Sequence, residues 1–287
     1  MSPDEDALLN GIAADPAADL PRLVYADWLE EHGQDLRAEF IRVQCEIAKL
    51  EVGPRDVIDR NVHLWRRQQQ LLDGYLDAIL DGLPLAGKSP RKSARFRRGF
   101  LDETTLLLDD YRQQADALAS IRPMPSEVTM QTEDDFVESR DSASVAAHSL
   151  VTSMLFFGRG NPGGIVHFDQ GTVWPRLKSL SSSGHAVVFA ELLVLLTRCV
   201  PALTSLNLAD NQLNDNDVID LLNAGILQRL SHISLIENAI GDQAAIELAD
   251  RLGNSKNLKE LDLRRNGITS VGQAELLARL GSKVILF

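Results

Sequence analysis

The C-terminal third of the chain carries one apolar pattern three times. The first copy begins at Leu203, ends at Leu213 and has the form Leu-x-x-Leu-x-Leu-x-x-Asn-x-Leu. The second copy begins at Leu230 and the third at Leu258, with isoleucine replacing leucine at some positions. The copies are 27 and 28 residues apart, a period typical of solenoid proteins. Because one copy cannot bury its apolar face alone, the pattern predicts that successive copies stack.

Each copy predicts a short strand, a turn and a helix. The three central apolar residues are spaced as in a strand whose alternate side chains point inward. The asparagine follows where the chain leaves the strand, and its amide can bond backbone groups that the strand no longer pairs. A helical stripe comes next, as in the third copy with Ala274, Leu276, Leu277 and Leu280. The chain thus resembles the leucine-rich-repeat family, and its period with a full helix is similar to the ribonuclease-inhibitor type.

Weaker copies are predicted on both sides of these three. The expected fold class is α/β: a leucine-rich-repeat solenoid, with parallel strands inside and helices outside, preceded by a small all-α domain. The additional predicted strands lie at 100–108, 127–130, 165–168, 177–180 and 283–287. The predicted helices between them lie at 111–121, 143–157 and 187–199. Terminal copies of a solenoid are often degenerate, which accounts for the weaker pattern.

Residues 1–80 predict a helical domain. Ser2 is suited to cap the first helix, and Gly33 to end the second. The string Leu-Pro-Arg-Leu-Val-Tyr-Ala-Asp-Trp-Leu-Glu-Glu-His-Gly at 20–33, followed by Arg-Ala-Glu-Phe-Ile-Arg-Val-Gln at 37–44, is similar to a bacterial repeat-companion domain. That resemblance covers roughly residues 4–50 and implies an architecture rather than an activity. We expect Trp28 to pack against the next helix, and Asp27 to accept hydrogen bonds from Arg37 or Arg42.

These patterns divide the chain into a helical domain at 1–82, a basic linker at 83–95 and the repeat solenoid at 96–287. One hypothesis is that the basic run around the linker binds the phosphates of a nucleic acid. The alternative, which we favour because few aromatic residues accompany the run, is that its arginines pair with the acidic helical domain or cover the first strand. The basic residues are Lys88, Arg91, Lys92, Arg95, Arg97 and Arg98.

Composition favours a cytoplasmic protein with no membrane association. The formal charge of −12 disfavours non-specific nucleic-acid binding by the whole molecule. Cys45 and Cys199 lie far apart in apolar stretches, which indicates buried free thiols rather than a disulfide framework. The longest apolar run, 186–196, is too short for a membrane span and contains Glu191. The N-terminus carries acids where a secretory signal would carry bases.

Several fragments resemble enzyme motifs but lack the required context. Residues 158–163 match Gly-x-Gly-x-x-Gly, yet Pro162 interrupts them and a strand-like segment follows where a dinucleotide site needs a helix. Ser183 and His185 place a hydroxyl near an imidazole without a nucleophile elbow. A hydrolase site within 158–185 is the competing hypothesis. No histidine or cysteine spacing suggests a metal site, so we predict no catalysis, no cofactor and no metal.

The repeats instead predict a surface for a protein partner. Between the inward leucines, each strand presents outward residues that line up across copies on a concave face. A rigid, preformed surface of this kind loses little ordering entropy on binding, which favours a non-catalytic interaction or scaffold protein. The alternative is that the helical domain recruits the partner. The outward positions of the three copies are Ser205, Asn207 and Ala209; His232, Ser234 and Ile236; and Glu260, Asp262 and Arg264.

Overall fold

The protein forms two compact units. The computed structural model describes residues 2–50, 61–79, 94–107, 110–111, 116, 118–119, 121, 124–132, 137–138, 151–157, 166–167, 173–184 and 188–286. The first unit comprises Met1–Leu106 with Gln113–Val128, and we call it the helical unit. The second comprises Leu107–Arg112 with Thr129–Phe287, and we call it the repeat unit.

The described residues of the helical unit form helices and a β-hairpin. Ser2 begins the first helix as predicted, since its Oγ accepts a hydrogen bond from the Glu5 backbone N–H at 3.1 Å. Gly33 follows the second helix with φ of 75°, the left-handed conformation expected at a helix C-terminus. The two strands of the hairpin pair in antiparallel fashion. The elements are α1 (Pro3–Ala14), α2 (Leu20–Glu31), α3 (Asp35–Leu50), α4 (Val62–Ile79), β1 (Arg95–Arg97) and β2 (Phe100–Leu107).

The hairpin is part of the core of the helical unit. Phe100 is buried in the same cluster as Tyr25, and their ring centroids lie 5.9 Å apart. The Gly99 N–H donates to the buried Gln44 side-chain oxygen at 2.8 Å. Gly99 has φ of 85°, and a Cβ there would lie 2.6 Å from the Ile41 Cα. The turn of the hairpin therefore approaches α3 so closely that it requires glycine.

Two expectations concern side chains of the second helix. Arg42 donates to Asp27 at 2.7 Å and also to Glu30 at 2.6 Å, so the predicted bond between the helices is confirmed. Trp28 is half-buried against the cluster that contains Ala38 and Ile41 of α3. Its ring also stacks on Tyr25 and on His32, with ring centroids 5.9 Å and 3.9 Å away. The spacing of these residues on α2 places them one turn apart on one face, which brings the rings together.

The repeat unit is built around a parallel sheet. Its strands pair in the order β3, β5, β7, β8, β9, β10 and β11, each parallel to the next. A separate two-stranded parallel pair joins β4 to β6. The strands are β3 (Glu127–Thr132), β4 (Val137–Glu138), β5 (Ser153–Phe157), β6 (Val166–His167), β7 (Ser179–Ser183), β8 (Ser205–Asn207), β9 (His232–Ser234), β10 (Glu260–Asp262) and β11 (Val284–Ile285). The helices are α5 (Phe189–Val194), which continues as a π-helical turn (Leu195–Cys199), α6 (Asp215–Asn223), α7 (Asp242–Leu252) and α8 (Ser270–Leu280).

The inward leucines predicted from the repeats form one buried row. Leu206 pairs in register with Ile233, and Ile233 with Leu261. Each of these three side chains is at most 1% exposed. The row extends to Leu180 on one side and Val284 on the other, so the strands of five successive repeats share one register. An α/β leucine-rich-repeat solenoid is the fold that this arrangement confirms.

The sequence interpretation was wrong over one segment upstream. A helix was predicted at 143–157, but Ser153–Phe157 is strand β5, paired in parallel with β3 and β7. A short apolar run does not distinguish a buried strand from a buried helix, and here pairing on both sides decided the outcome. The strand predicted at 165–168 exists as β6, although it pairs with β4 outside the main sheet. Residues 143–150 lie outside the described residues.

Candidate interaction surface

The outward residues of the parallel strands form two rows, which together we call the strand face. In the first row Ser205 lies beside His232, and His232 beside Glu260. In the second row Asn207 lies beside Ser234, and Ser234 beside Asp262. The six residues predicted on these strands are therefore brought together in the predicted register. Three further predicted residues, Ala209, Ile236 and Arg264, follow two positions after the strand ends.

Strand β7 adds residues that the sequence analysis did not name. Ser179 pairs with Ser205 and extends the first row, while Ser181 pairs with Asn207 and extends the second. The signal was present, because Leu177 and Leu180 precede Leu203 and Leu206 by 26 residues. Applying the repeat pattern to that copy would have placed both serines on the strand face.

Asparagine side chains fix the spacing between repeats at one edge of the sheet. The Asn238 Oδ1 accepts from the backbone N–H of Asn211 at 3.1 Å and of Leu213 at 2.9 Å, both in the preceding repeat. Its Nδ2 donates to the Leu208 carbonyl, which also lies in the preceding repeat, at 2.9 Å. Asn266 repeats the arrangement one copy later, donating to the Leu235 carbonyl at 2.8 Å. Each asparagine thus satisfies backbone groups of the neighbouring turn, as the sequence predicted.

A second ladder joins the starts of the helices. Gly241 N–H donates to the Asp215 carboxylate at 2.5 Å, and Thr269 donates to Asp242 through its N–H at 2.8 Å and its hydroxyl at 2.5 Å. The hydroxyl hydrogen bond from Thr269 holds the pKa of Asp242 below its ordinary value. The start of each helix is therefore hydrogen-bonded to the turn that precedes the next helix, and the contact recurs from repeat to repeat.

The second row of the strand face is largely satisfied within the protein. Asn207 donates to the Ser181 hydroxyl at 3.1 Å and accepts from the Ala209 N–H at 3.0 Å. Asp262 is 4% exposed and accepts from the Arg264 guanidinium at 2.7 Å and 3.0 Å. These contacts leave Asp262 neutralised by Arg264, so the pair adds structure rather than net charge to the surface.

Charged residues also line the strand exits at the edge of the strand face. Asp210, Glu237 and Arg265 occupy equivalent positions in the three copies, and all have positive φ of 54–57°. Arg265 forms an ion pair with Glu237 of the preceding repeat. This backbone conformation is uncommon for residues other than glycine, and its recurrence at one position shows that each copy makes the same turn after the strand.

Two of the described basic residues near the predicted linker form ion pairs within the helical unit. Arg98 forms an ion pair with Asp19, and the side chains are 19% and 20% exposed. Arg95 lies 3.6 Å from Glu103, and Arg97 is exposed at the end of β1. Lys88, Arg91 and Lys92 lie outside the described residues. Arg98 therefore makes the kind of ion pair with an acidic residue of the helical unit that we favoured over nucleic-acid binding.

The hydrolase hypothesis gains no support from the described part of the chain. Ser183 ends strand β7, while His185 and residues 158–163 lie outside the described residues. Within the described ranges, no group of three or more histidine, cysteine or acidic side chains has an arrangement that would hold a metal ion. Both cysteines are free and buried, and burial raises the pKa of the Cys45 thiol to about 11. No described helix is both long and apolar enough to cross a membrane.

Comparison with known proteins supports the repeats. No curated protein sequence matches the chain. A crystal structure of a protein from Bacteroides fragilis is similar to it at 14% sequence identity and a TM-score of 0.41, over 76% of this chain and 73% of that chain. The family model described as Leucine Rich repeat matches residues 201–222 and 254–276, which contain the first and third copies of the pattern. The two matched segments lie within the stacked strands and helices of the repeat unit, so the family match and the fold both support leucine-rich repeats in this part of the chain.

Proposed function

We propose that this chain is a non-catalytic interaction or scaffold protein that binds a protein partner through the strand face. The observation that carries the proposal is the register of strands β7 to β10. It holds the outward residues of four repeats in continuous rows without an intervening loop. Because two hydrogen-bonded ladders fix the backbone that follows each strand, little conformational entropy is lost when a partner binds.

The polarity of the strand face suits a protein partner. Serine, asparagine and histidine occupy its central positions, and Ile236 adds a half-buried apolar side chain beside them. Mixed polar and apolar surfaces of this kind are typical of non-obligate protein interfaces. We place the interaction in the bacterial cytoplasm, because two free, buried thiols are compatible with a reducing compartment.

The test compares two triple variants in an affinity pull-down. The strand-face variant carries Ser205→Arg, His232→Glu and Ile236→Arg. The matched control carries Asn216→Arg, Gln243→Glu and Ile246→Arg, which change exposed positions on helices α6 and α7 in the same way. We expect at least one protein to be retained by the wild type and the control but lost by the strand-face variant.

Identical sets of retained proteins from all three baits would contradict the proposal. Circular dichroism of each bait before the pull-down separates a lost surface from a lost fold. If the partner is still retained by the strand-face variant but is lost when exposed residues of the helical unit are changed, the helical unit recruits the partner.

A further inference from the structure

The first row of the strand face keeps polar groups available to a partner. Among the residues that the structure describes, the hydroxyls of Ser179 and Ser205 and the carboxylate of Glu260 take part in no hydrogen bond or ion pair. His232 lies between Ser205 and Glu260, and its Nδ1 contacts the Ser231 hydroxyl at 2.9 Å. Its Nε2 forms no described hydrogen bond. The second row has far less unused capacity, since Asn207 and Asp262 are bonded internally.

Charge is distributed unevenly along this first row. Its members on β7 and β8 are uncharged serines, whereas its end on β10 is the exposed Glu260. The nearby Arg264 guanidinium is bound to Asp262, and Arg265 is paired with Glu237. Glu260 forms no ion pair among the described residues, and Arg264, whose pKa is raised chiefly by Asp262 and to a lesser degree by Glu260, is held by Asp262.

We infer that the partner presents an extended segment with a basic side chain against Glu260 and uncharged polar groups over Ser205 and Ser179. This inference rests on the proposed function, because it names the partner chemistry of the same surface. Four neighbouring strands separate the ends of the row by about 14 Å. An extended segment spans that distance in about four or five residues. The small serine side chains let its backbone approach the sheet closely.

The size of the effect follows from the exposure of Glu260. An ion pair open to water contributes modestly to affinity and more to selectivity among partners. Removing the Glu260 charge should weaken binding of a basic segment by about two- to five-fold. Removing a carboxylate elsewhere on the same unit should leave the affinity unchanged, since salt screens charges beyond about 10 Å.

The experiment selects ligands without assuming their sequence. A displayed library of random 12-residue peptides is enriched on the full-length wild-type protein, and the dissociation constants of the selected peptides are measured by fluorescence anisotropy. The same peptides are measured against Glu260→Gln and against Asp220→Asn, a matched change at an exposed position of helix α6. Each peptide is also made with its basic residue replaced by glutamine.

We expect the selected peptides to share a lysine or arginine and to bind Glu260→Gln about two- to five-fold more weakly, with no change for Asp220→Asn. Replacing the basic residue should weaken binding to the wild type by the same factor, yet have no further effect on Glu260→Gln.

Absence of enrichment, an acidic or uncharged consensus, or equal effects of the two protein variants would overturn the inference. If uncharged peptides are selected and are lost with the strand-face variant, the proposed function stands and the basic partner alone is excluded. Basic peptides that bind the strand-face variant as well as the wild type would place their site elsewhere.

Discussion

The helical unit and the repeat unit are each stabilised by internal contacts, and the contacts are of a different kind in each unit. In the repeat unit the same contact recurs at each period, as Asn238 and Asn266 show by bonding the preceding turn in the same way. In the helical unit each contact occurs once, as in the bond from the Gly99 N–H to Gln44 or the ion pair of Arg98 with Asp19. A recurring contact can be inferred from a recurring sequence, whereas a single one cannot. The comparison therefore separates what repetition specifies from what individual packing specifies.

The largest expected effect is in the helical unit, at the turn of the hairpin. Gly99→Ala places a Cβ 2.6 Å from the Ile41 Cα at a φ of 85°, so the hairpin must move away from α3. We expect a loss of about 2–4 kcal/mol in the free energy of unfolding. Hydrogen exchange should accelerate in α3 and remain unchanged in β9. Gly11→Ala is the matched control, because no atom lies within 4 Å of its Cβ and alanine should stabilise α1 by about 0.5–1 kcal/mol.

The corresponding change in the repeat unit is Asn238→Ala. It removes the acceptor of the Asn211 and Leu213 backbone N–H groups, and we expect a loss of about 2–3 kcal/mol. Hydrogen exchange should accelerate in the turns of the neighbouring repeats and not in α3. Asn216→Ala, at an exposed position of α6, should change stability by less than about 0.5 kcal/mol. Acceleration in both units after either substitution would show that the two kinds of contact are not independent.

The pH dependence of the helical unit provides a third comparison. Burial raises the pKa of Tyr25 to about 12, and its hydroxyl donates to Glu5 at 3.0 Å. Because the folded pKa lies above the unfolded value, this contribution is complete below about pH 10 and is lost as the pH rises towards 12. Between pH 9 and pH 11 we expect the contribution of Tyr25 to the free energy of unfolding to fall by about 1 kcal/mol, measured by urea unfolding as the difference between the wild type and Tyr25→Phe. The buried Cys45 thiol, whose pKa is raised to about 11, loses stability over the same pH range in both proteins and cancels in this difference. An equal loss in the two proteins would show that Tyr25 does not contribute.

The smallest expected effect is on stability when the strand face is altered. Ser205, His232 and Ile236 lie on the outer side of the sheet and contribute little to the buried row of leucines. Changing each to a charged residue should shift the free energy of unfolding by less than about 0.5 kcal/mol per site. Thermal unfolding of the strand-face variant and its helix-side control checks this. A large loss restricted to the strand-face variant would mean that this surface maintains the fold.

The accuracy of the sequence interpretation differs between these regions for a physical reason. In the three clear copies, the inward leucines and the asparagine turn were predicted correctly, because their partners lie one period away and carry the same residue types. Upstream the pattern weakens, and Ser153–Phe157 was taken for a helix. Its partner β7 lies one period on, since Met154 pairs with Leu180, but the copy that contains β5 has Val151, Met154 and Phe156 in place of leucines and Arg159 in place of the asparagine. So degenerate a pattern did not distinguish a strand from a helix.

The strand face itself shows the same division. The alternation of side chains along a strand, combined with the repeat spacing, was enough to place Ser205, His232 and Glu260 in one row. The tertiary structure decided which charges in that region stay available, since Arg264 turns back to Asp262 and leaves Glu260 without an ion pair. The spacing of residues in the sequence does not determine the side-chain rotamer by which Arg264 pairs with Asp262 rather than with Glu260.

The sequence by itself determined the leucine-rich repeats, their register and the side of the sheet that faces outward, because each repeat meets a near copy of itself at a constant separation. Only the tertiary structure decided that the turn at Arg98 and Gly99 belongs to the core of the helical unit. Those contacts join residues 79 and 55 positions apart in the chain, and no periodic signal connects them. Contacts made once depend on the shapes of particular surfaces, and these exist only after the chain has folded.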